Sequence, residues 1–267
     1  MRRPPGRLAR WTAATAAAVL LLAAPHAKAQ RLRLFESGLG SDTLGGAAPW
    51  GNPIRDDRVY AQGIFNQLEG RIGDGAYLRW DGQAWAGTDW NRLWFKSEGR
   101  YNAERRGRLT DGRHELLYDR PISTFFDLQA GVRYDLDDNT GRTWAALGVQ
   151  GLAVGFWNVE ATAYASDSGH YAFRTNASYD LYLTQRLVLQ PQFETNWYTK
   201  VDRGRGVGAG LSDVDMGLRL RYDLTRKTSP YVGVTYQRFF GGTLNLRRSE
   251  GLGADDTRFV AGLRLWF

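Results

Sequence analysis

Strict two-residue alternation is the feature that most constrains this chain. Between Phe125 and Leu136, the side chains of Phe126, Leu128, Ala130, Val132, Tyr134 and Leu136 share one parity, and Asp127, Gln129, Arg133 and Asp135 share the other. Successive side chains of a β-strand point to opposite faces, so this segment has one apolar face and one polar face. A helix would need apolar residues three and four apart, and that spacing is absent. The split returns four more times. Glu160 lies on the polar parity of 156–166, Arg174 and Asp180 on that of 171–182, Glu194 on that of 186–197, and Asp215, Arg219 and Arg221 on that of 214–224.

Taken together, about twelve strands are expected, near 59–71, 75–84, 92–101, 113–120, 123–136, 142–151, 155–166, 170–183, 186–198, 213–224, 229–239 and 257–267. Ten remain if the two weakest early segments lie outside the sheet. The links sort by length. Gly87–Asn91, Pro121–Ile122, Leu152–Val154, Thr184–Gln185 and Thr225–Thr228, after the even strands, are short; Asn102–Gly112, Thr199–Ser212 and Phe240–Asp256, after odd strands, are long, glycine-rich and charged. Short turns on one side and long loops on the other mark an outer-membrane barrel. The expected fold is therefore all-β: a transmembrane, antiparallel, up-and-down barrel with its apolar parity toward lipid. A soluble sandwich or lipocalin-like barrel also alternates, but has no reason to sort its loops. Pro191 has no N–H to donate and is expected at a strand start or a bulge.

Residues 1–29 read as an export leader: Arg2, Arg3, Arg7 and Arg10, then an apolar run from Ala13 to Ala24, then Ala27-Lys28-Ala29 before a cut ahead of Gln30. That run is shorter than the ~20 residues of a membrane-spanning helix. Five of the 35 basic residues fall in this leader, so the excess over the 28 acidic residues shrinks from seven to two. The high isoelectric point thus gives no reason to expect nucleic acid as a partner. Residues 30–58 lack periodicity, mix Gly, Pro, Ser and Asp, and read as a mobile periplasmic arm ahead of a barrel over 59–267. With no Cys in the chain, disulfides and thiolate metal sites are excluded.

If the apolar parity meets lipid, the polar parity lines the lumen. Asp127, Asp135, Glu160, Asp180, Glu194 and Asp215 are then the candidate metal-binding carboxylates, and His114, on the parity of Leu116 and Tyr118, is the candidate imidazole of the barrel wall. Two readings stand beside each other: an interior salt-bridge network that fills a narrow barrel, and a cation path built from the carboxylates. Asp167-Ser168-Gly169-His170 packs Asp, Ser and His too tightly for a catalytic relay and reads as a turn, so no enzymatic activity is expected.

Several blocks resemble a known family in the right order: Leu-Trp-Phe-Lys-Ser-Glu-Gly (93–99), Leu-Gln-Ala-Gly-Val-Arg-Tyr-Asp (128–135), Leu-Thr-Gln-Arg-Leu-Val-Leu-Gln-Pro (183–191), Gly-Leu-Ser-Asp-Val-Asp-Met-Gly-Leu-Arg-Leu-Arg-Tyr (210–222) and Asp-Thr-Arg-Phe-Val-Ala-Gly-Leu-Arg-Leu-Trp-Phe (256–267). From about Val59 onward the chain is similar to the copper resistance protein B family. That resemblance implies a cell outer membrane protein that binds or passes copper ions, works with a periplasmic multicopper oxidase or copper chaperone, and has no activity as an enzyme. The alternative is a general porin-like or structural barrel without a metal role. Many family members carry a Met- and His-rich N-terminal segment, whereas residues 30–58 contain neither residue. In the last strand Phe259, Ala261, Leu263, Leu265 and Phe267 share a face, which is expected toward lipid on a strand that closes against the first.

Overall fold

The computed structural model describes residues 58–102, 108–136 and 141–267. The leader, and the arm except for Arg58, lie outside the described residues. Strands β1 (Tyr60–Gly73), β2 (Gly75–Gly87), β3 (Arg92–Asn102), β4 (Arg108–Pro121), β5 (Phe126–Leu136), β6 (Arg142–Ala153), β7 (Trp157–Ser166), β8 (Tyr171–Ser178), β9 (Leu181–Tyr182), β10 (Leu187–Tyr198), β11 (Gly210–Tyr222), β12 (Thr228–Phe239) and β13 (Asp255–Trp266) form one antiparallel sheet. β8 and β9 both pair with β10 in one continuous register, Gln192 opposite Ser178 and Leu189 opposite Leu181, so they are two pieces of a single stave. The barrel therefore has twelve staves, the number read from the sequence, and every expected strand is present.

Closure is made by β13 against β1, with Ile64 opposite Trp266 and Ile72 opposite Phe259. Phe267 extends the seam: its N–H donates to the Gly63 carbonyl at 2.9 Å. Every stave has a neighbour on both sides, so its ladder bonds are made within the sheet, the condition for crossing a bilayer with strands. The face assignment holds. Phe259, Leu263 and Phe267 are exposed on the outer surface while Val260 between them is buried inside. Exposed aromatics collect at both rims, with Tyr101, Tyr134, Tyr171 and Trp197 at one end and Phe125, Trp157, Tyr182 and Phe267 at the other, as an interfacial girdle requires.

The break between β8 and β9 has its origin in Pro191, which sits inside β10 rather than at a strand start or a bulge. Tyr179 lies opposite it and donates its N–H to the Pro191 carbonyl at 3.1 Å, but Pro191 has no N–H to return. Half of one ladder pair is missing there. The consequence falls on the partner strand.

Short turns close one end of the barrel. In four of them a hydroxyl accepts from the backbone N–H three residues on: Thr88 from Asn91, Ser123 from Phe126, Thr184 from Leu187, and Thr225 from Thr228. The Ser/Thr at each turn start substitutes for a backbone acceptor and so fixes the turn. This short-turn end is the periplasmic one in barrels of this kind. At the other end the long links are folded. Residues 203–205 form a 3₁₀ turn, and the long link Phe240–Asp256 contains a helix, α1 (Gly241–Ser249). Gly208 lies so close to α1 that a Cβ there would fall 2.1 Å from the Gly242 carbonyl carbon. Its N–H donates to Thr243 Oγ1 at 2.8 Å, and the same hydroxyl donates to Ser212 Oγ at 2.9 Å.

Phe267 also meets the Phe65 ring edge to face, with centroids 6.2 Å apart. Such a contact contributes about 0.5–1.5 kcal/mol beyond the area it buries. Deleting Phe267 removes this contact and the last two backbone bonds of the seam, both with Gly63. The expected outcome is a smaller heat-modifiable, folded fraction on unboiled gels of outer-membrane preparations. Wild-type recovery would show that the seam does not need its terminal aromatic.

Candidate functional site

The polar parity does line the interior, and its charged groups are organised in two levels. The upper level, toward the long-loop end, is a lattice of arginines and carboxylates that crosses the lumen. Glu98 on β3 receives Arg79 Nη2 at 2.7 Å and Arg174 Nη1 at 2.8 Å, with Arg113 Nη1 at 3.8 Å. Arg174 comes from β8, so its bond to β3 spans the barrel. Its other nitrogen reaches Glu194 at 2.9 Å. From there the chain of contacts continues around the wall: Arg79 lies 3.8 Å from Asp215, Asp215 is 3.3 Å from Arg71, Arg71 is 2.7 Å from Glu69, and Glu69 is 3.0 Å from Arg219. Glu69 is fully buried and also accepts from Tyr231 Oη at 2.9 Å. Each ion is thereby compensated, which is what allows charges to leave water.

An apolar cluster fills the wall beside this lattice. Leu117, Trp144, Ala146, Tyr164 and Ala172 are buried inside the barrel. Trp144 Nε1 donates to Asp135 at 2.8 Å and Tyr164 Oη donates to Glu115 at 2.8 Å, so each aromatic has its polar atom satisfied. The Arg133 guanidinium stacks 4.5 Å above the Tyr164 ring. Above the cluster, the link between β10 and β11 turns inward. Arg205 Nη1 reaches Asp135 at 2.6 Å, and Arg142 Nη1 reaches Asp202 at 2.6 Å. The long-loop mouth is thus tied across by two ion pairs.

The lower level is a cavity of about 420 Å³ toward the short-turn end. Six carboxylates and four cationic side chains line it, and Arg92 and Arg221 pair with two of those carboxylates from its edge. Lys96 reaches across it from β3 to Glu160 on β7 at 3.0 Å and also donates to Gln129 at 2.9 Å.

The structure separates the seven candidates. Asp127, Glu160 and Asp180 line the cavity, where they pair with Arg92, Lys96 and Arg221 at 3.1, 3.0 and 3.1 Å. Glu194 and Asp215 belong to the lattice above it. Asp135 sits at the upper mouth between Arg133 and Arg205. His114 requires a correction as a lumen residue. It keeps the parity of Leu116 and Tyr118 and stacks on Phe95, 6.4 Å between centroids, on the outer face. An imidazole there meets lipid, and the inward neighbours on its strand are Arg113 and Glu115. Met216 faces outward as well. His170 lies in the exposed β7–β8 hairpin, where its Nδ1 is 3.1 Å from Ser168 Oγ, while Asp167 contacts Ser166 rather than the imidazole.

Glu69, Asp81, Glu98 and Glu115 are interior carboxylates that were not singled out from the sequence. Their signal was present: Arg79, Asp81 and Gln83 alternate with Leu78, Trp80 and Gly82. A β-bulge in β1 obscures the rest. Pairing with β2 skips Asn66, so the inward parity changes from Gln62 and Ile64 to Gln67, Glu69 and Arg71.

The model of the family described as "Copper resistance protein B precursor (CopB)" matches residues 59–267. Copper resistance protein B of Escherichia coli is 38% identical over 218 residues, covering 81% of this chain and 73% of its own length. The Copper resistance protein B homolog of Pseudomonas syringae pv. tomato is 40% identical with the same coverage. Among solved structures the NanC porin aligns with TM-score 0.50 over 77% of this chain and 99% of its own, at 11% identity, a likeness of fold alone.

Glu98 is the hinge of the charge lattice, because three arginines face it. Glu98→Ala removes the carboxylate that all three share, leaving Arg79 and Arg174 only their contacts to Glu194 and Asp215, and is expected to cost up to about 3–5 kcal/mol. Urea unfolding in detergent checks this: the midpoint falls clearly for Glu98→Ala and less for Glu98→Gln, which keeps hydrogen-bond acceptance. An unchanged midpoint in both would mean the lattice does not hold the barrel.

Proposed function

Because the chain belongs to the copper resistance protein B family, we propose that it provides copper resistance from the outer membrane by holding copper ions in a polar lumen entered from the periplasmic side. The single observation that carries this is the two-level interior. A carboxylate-lined cavity lies toward the short-turn end, and the cross-lumen lattice with the Arg205–Asp135 and Arg142–Asp202 ties lies at the other. Carboxylates and carboxamides attract a cation into the cavity, and the lattice above it stops free diffusion. On this reading the barrel takes copper from periplasmic copper-handling partners, a multicopper oxidase or a chaperone, and acts by sequestration or guarded passage rather than by catalysis. Export through the 1–29 leader, into the outer membrane of a Gram-negative-type envelope, belongs to the same proposal. So does the division into leader, periplasmic arm (30–58) and barrel (59–267).

The arrangement of interior groups favours this over a general porin, whose lumen is a water-filled channel. Deleting the gene is expected to lower survival on copper-supplemented medium while uptake of small polar solutes stays at the parental rate. In planar bilayers the purified barrel is expected to show conductance far below that of a general porin. Unchanged copper tolerance together with porin-sized conductance would overturn the reading.

A further inference from the structure

Two acceptor-bearing side chains of the cavity wall lie opposite each other in the β1–β2 ladder. Gln67 on β1 and Asp81 on β2 are directly opposed in the ladder, and both line the cavity. Opposed residues on one face have Cβ atoms about 5 Å apart. Gln67 is only 4% exposed, and its Nε2 donates to Gln192 at 2.7 Å, which leaves Oε1 buried with no partner. Among the described residues the Asp81 carboxylate makes no hydrogen bond or close ion pair, and Arg79 and Arg174 attract it only from a distance, although Glu98, Glu160, Asp127 and Asp180 around the cavity are all paired. Asp81 is also directly opposed to Glu98, a like-charge neighbour that the ladder would otherwise avoid. The bulge at Asn66 adds a further carboxamide, since it lets Asn66 and Gln67, adjacent in sequence, both line the cavity. Bulges are used to re-aim side chains next to functional sites.

We infer that Gln67 and Asp81, with Asn66 beside them, form a cation site that takes copper as Cu(II) and not as Cu(I). The inference rests on the copper reading above and adds the oxidation state and the ligands. Cu(I) is selected by thiolate and thioether donors. The chain has no Cys, and of its two Met residues Met1 falls in the leader while Met216 faces outward. Oxygen donors bind divalent first-row ions with affinities that peak at Cu(II). A cation between Gln67 Oε1 and the Asp81 carboxylate satisfies the buried acceptor and offsets the repulsion between Asp81 and Glu98. The barrel in its ion-free form therefore carries a local conflict that the ligand relieves.

The test is titration of the detergent-purified, full-length protein with aqueous Cu(II), read by calorimetry and electron paramagnetic resonance. A parallel anaerobic titration offers Cu(I) against a Cu(I)-specific chelator. The expected result is one Cu(II) per barrel with an oxygen-donor spectrum, at least tenfold weaker binding in Asp81→Asn, and no retention of Cu(I). Asp256→Asn, at the far end beside Arg258, is expected to bind as wild type. Because Asp81→Asn removes a like-charge opposition, its melting temperature is expected to equal or exceed wild type, so lost binding is not lost folding. Wild-type Cu(II) affinity in Asp81→Asn, or Cu(I) held as tightly as Cu(II), overturns the site. The deletion strain keeps the two ideas apart: copper sensitivity on deletion with unaltered binding by Asp81→Asn sinks the site and leaves the function standing.

Discussion

The structure depends on the need to compensate charge inside a narrow barrel. With the outer parity given to lipid, the inner parity must hold the arginines and carboxylates, and an uncompensated ion there costs several kcal/mol. The solution is a shared lattice in which Glu98 serves Arg79, Arg113 and Arg174 and Glu69 serves Arg71 and Arg219. Sharing ties distant strands together, since β3 is bridged to β8 and β1 to β11. The same contacts that satisfy the charges also set the shape of the lumen. Where the lattice is complete the lumen is filled. Below it, a cavity lined by carboxylates and carboxamides is left toward the short-turn end.

Much of this was legible in the sequence, and the reason is geometric. Period-two alternation fixes which side chains face inward, so all twelve strands and the outward face of the last one could be read directly. Some interior pairs are local for the same reason. Residues two apart share a face, and Glu69 with Arg71, Arg133 with Asp135, Arg221 with Asp223 and Asp256 with Arg258 all pair in this way at 2.6–3.1 Å. The cross-lumen pairs were not legible. Arg174 to Glu98 and Lys96 to Glu160 depend on closure, strand tilt and diameter, none of which leaves a mark in local spacing. The bulge at Asn66 hid the parity change that brings Gln67 inward. His114 shows the converse error: its parity with Leu116 and Tyr118 already placed it outside, and its chemistry alone suggested the lumen.

The folded long-loop end extends the argument. The long link after β12 contains α1, held by Thr243 and by the close approach at Gly208. The neighbouring link drops Arg205 onto Asp135. Among the described residues the interior is tied at one mouth and holds a polar cavity toward the other, the arrangement on which the proposed function rests. Copper itself enters through the family, and the inward side chains of the described residues offer carboxylate, carboxamide and hydroxyl oxygens rather than sulfur.

The most direct measurement of the central claim is anomalous diffraction at the copper edge from crystals of the full-length protein exposed to Cu(II). The account predicts a copper peak in the cavity on the short-turn side of the Glu98–Arg174 lattice, surrounded by side-chain oxygens. A peak confined to the outer surface at His114 or to the exposed His170 hairpin, with none in the lumen, would contradict it.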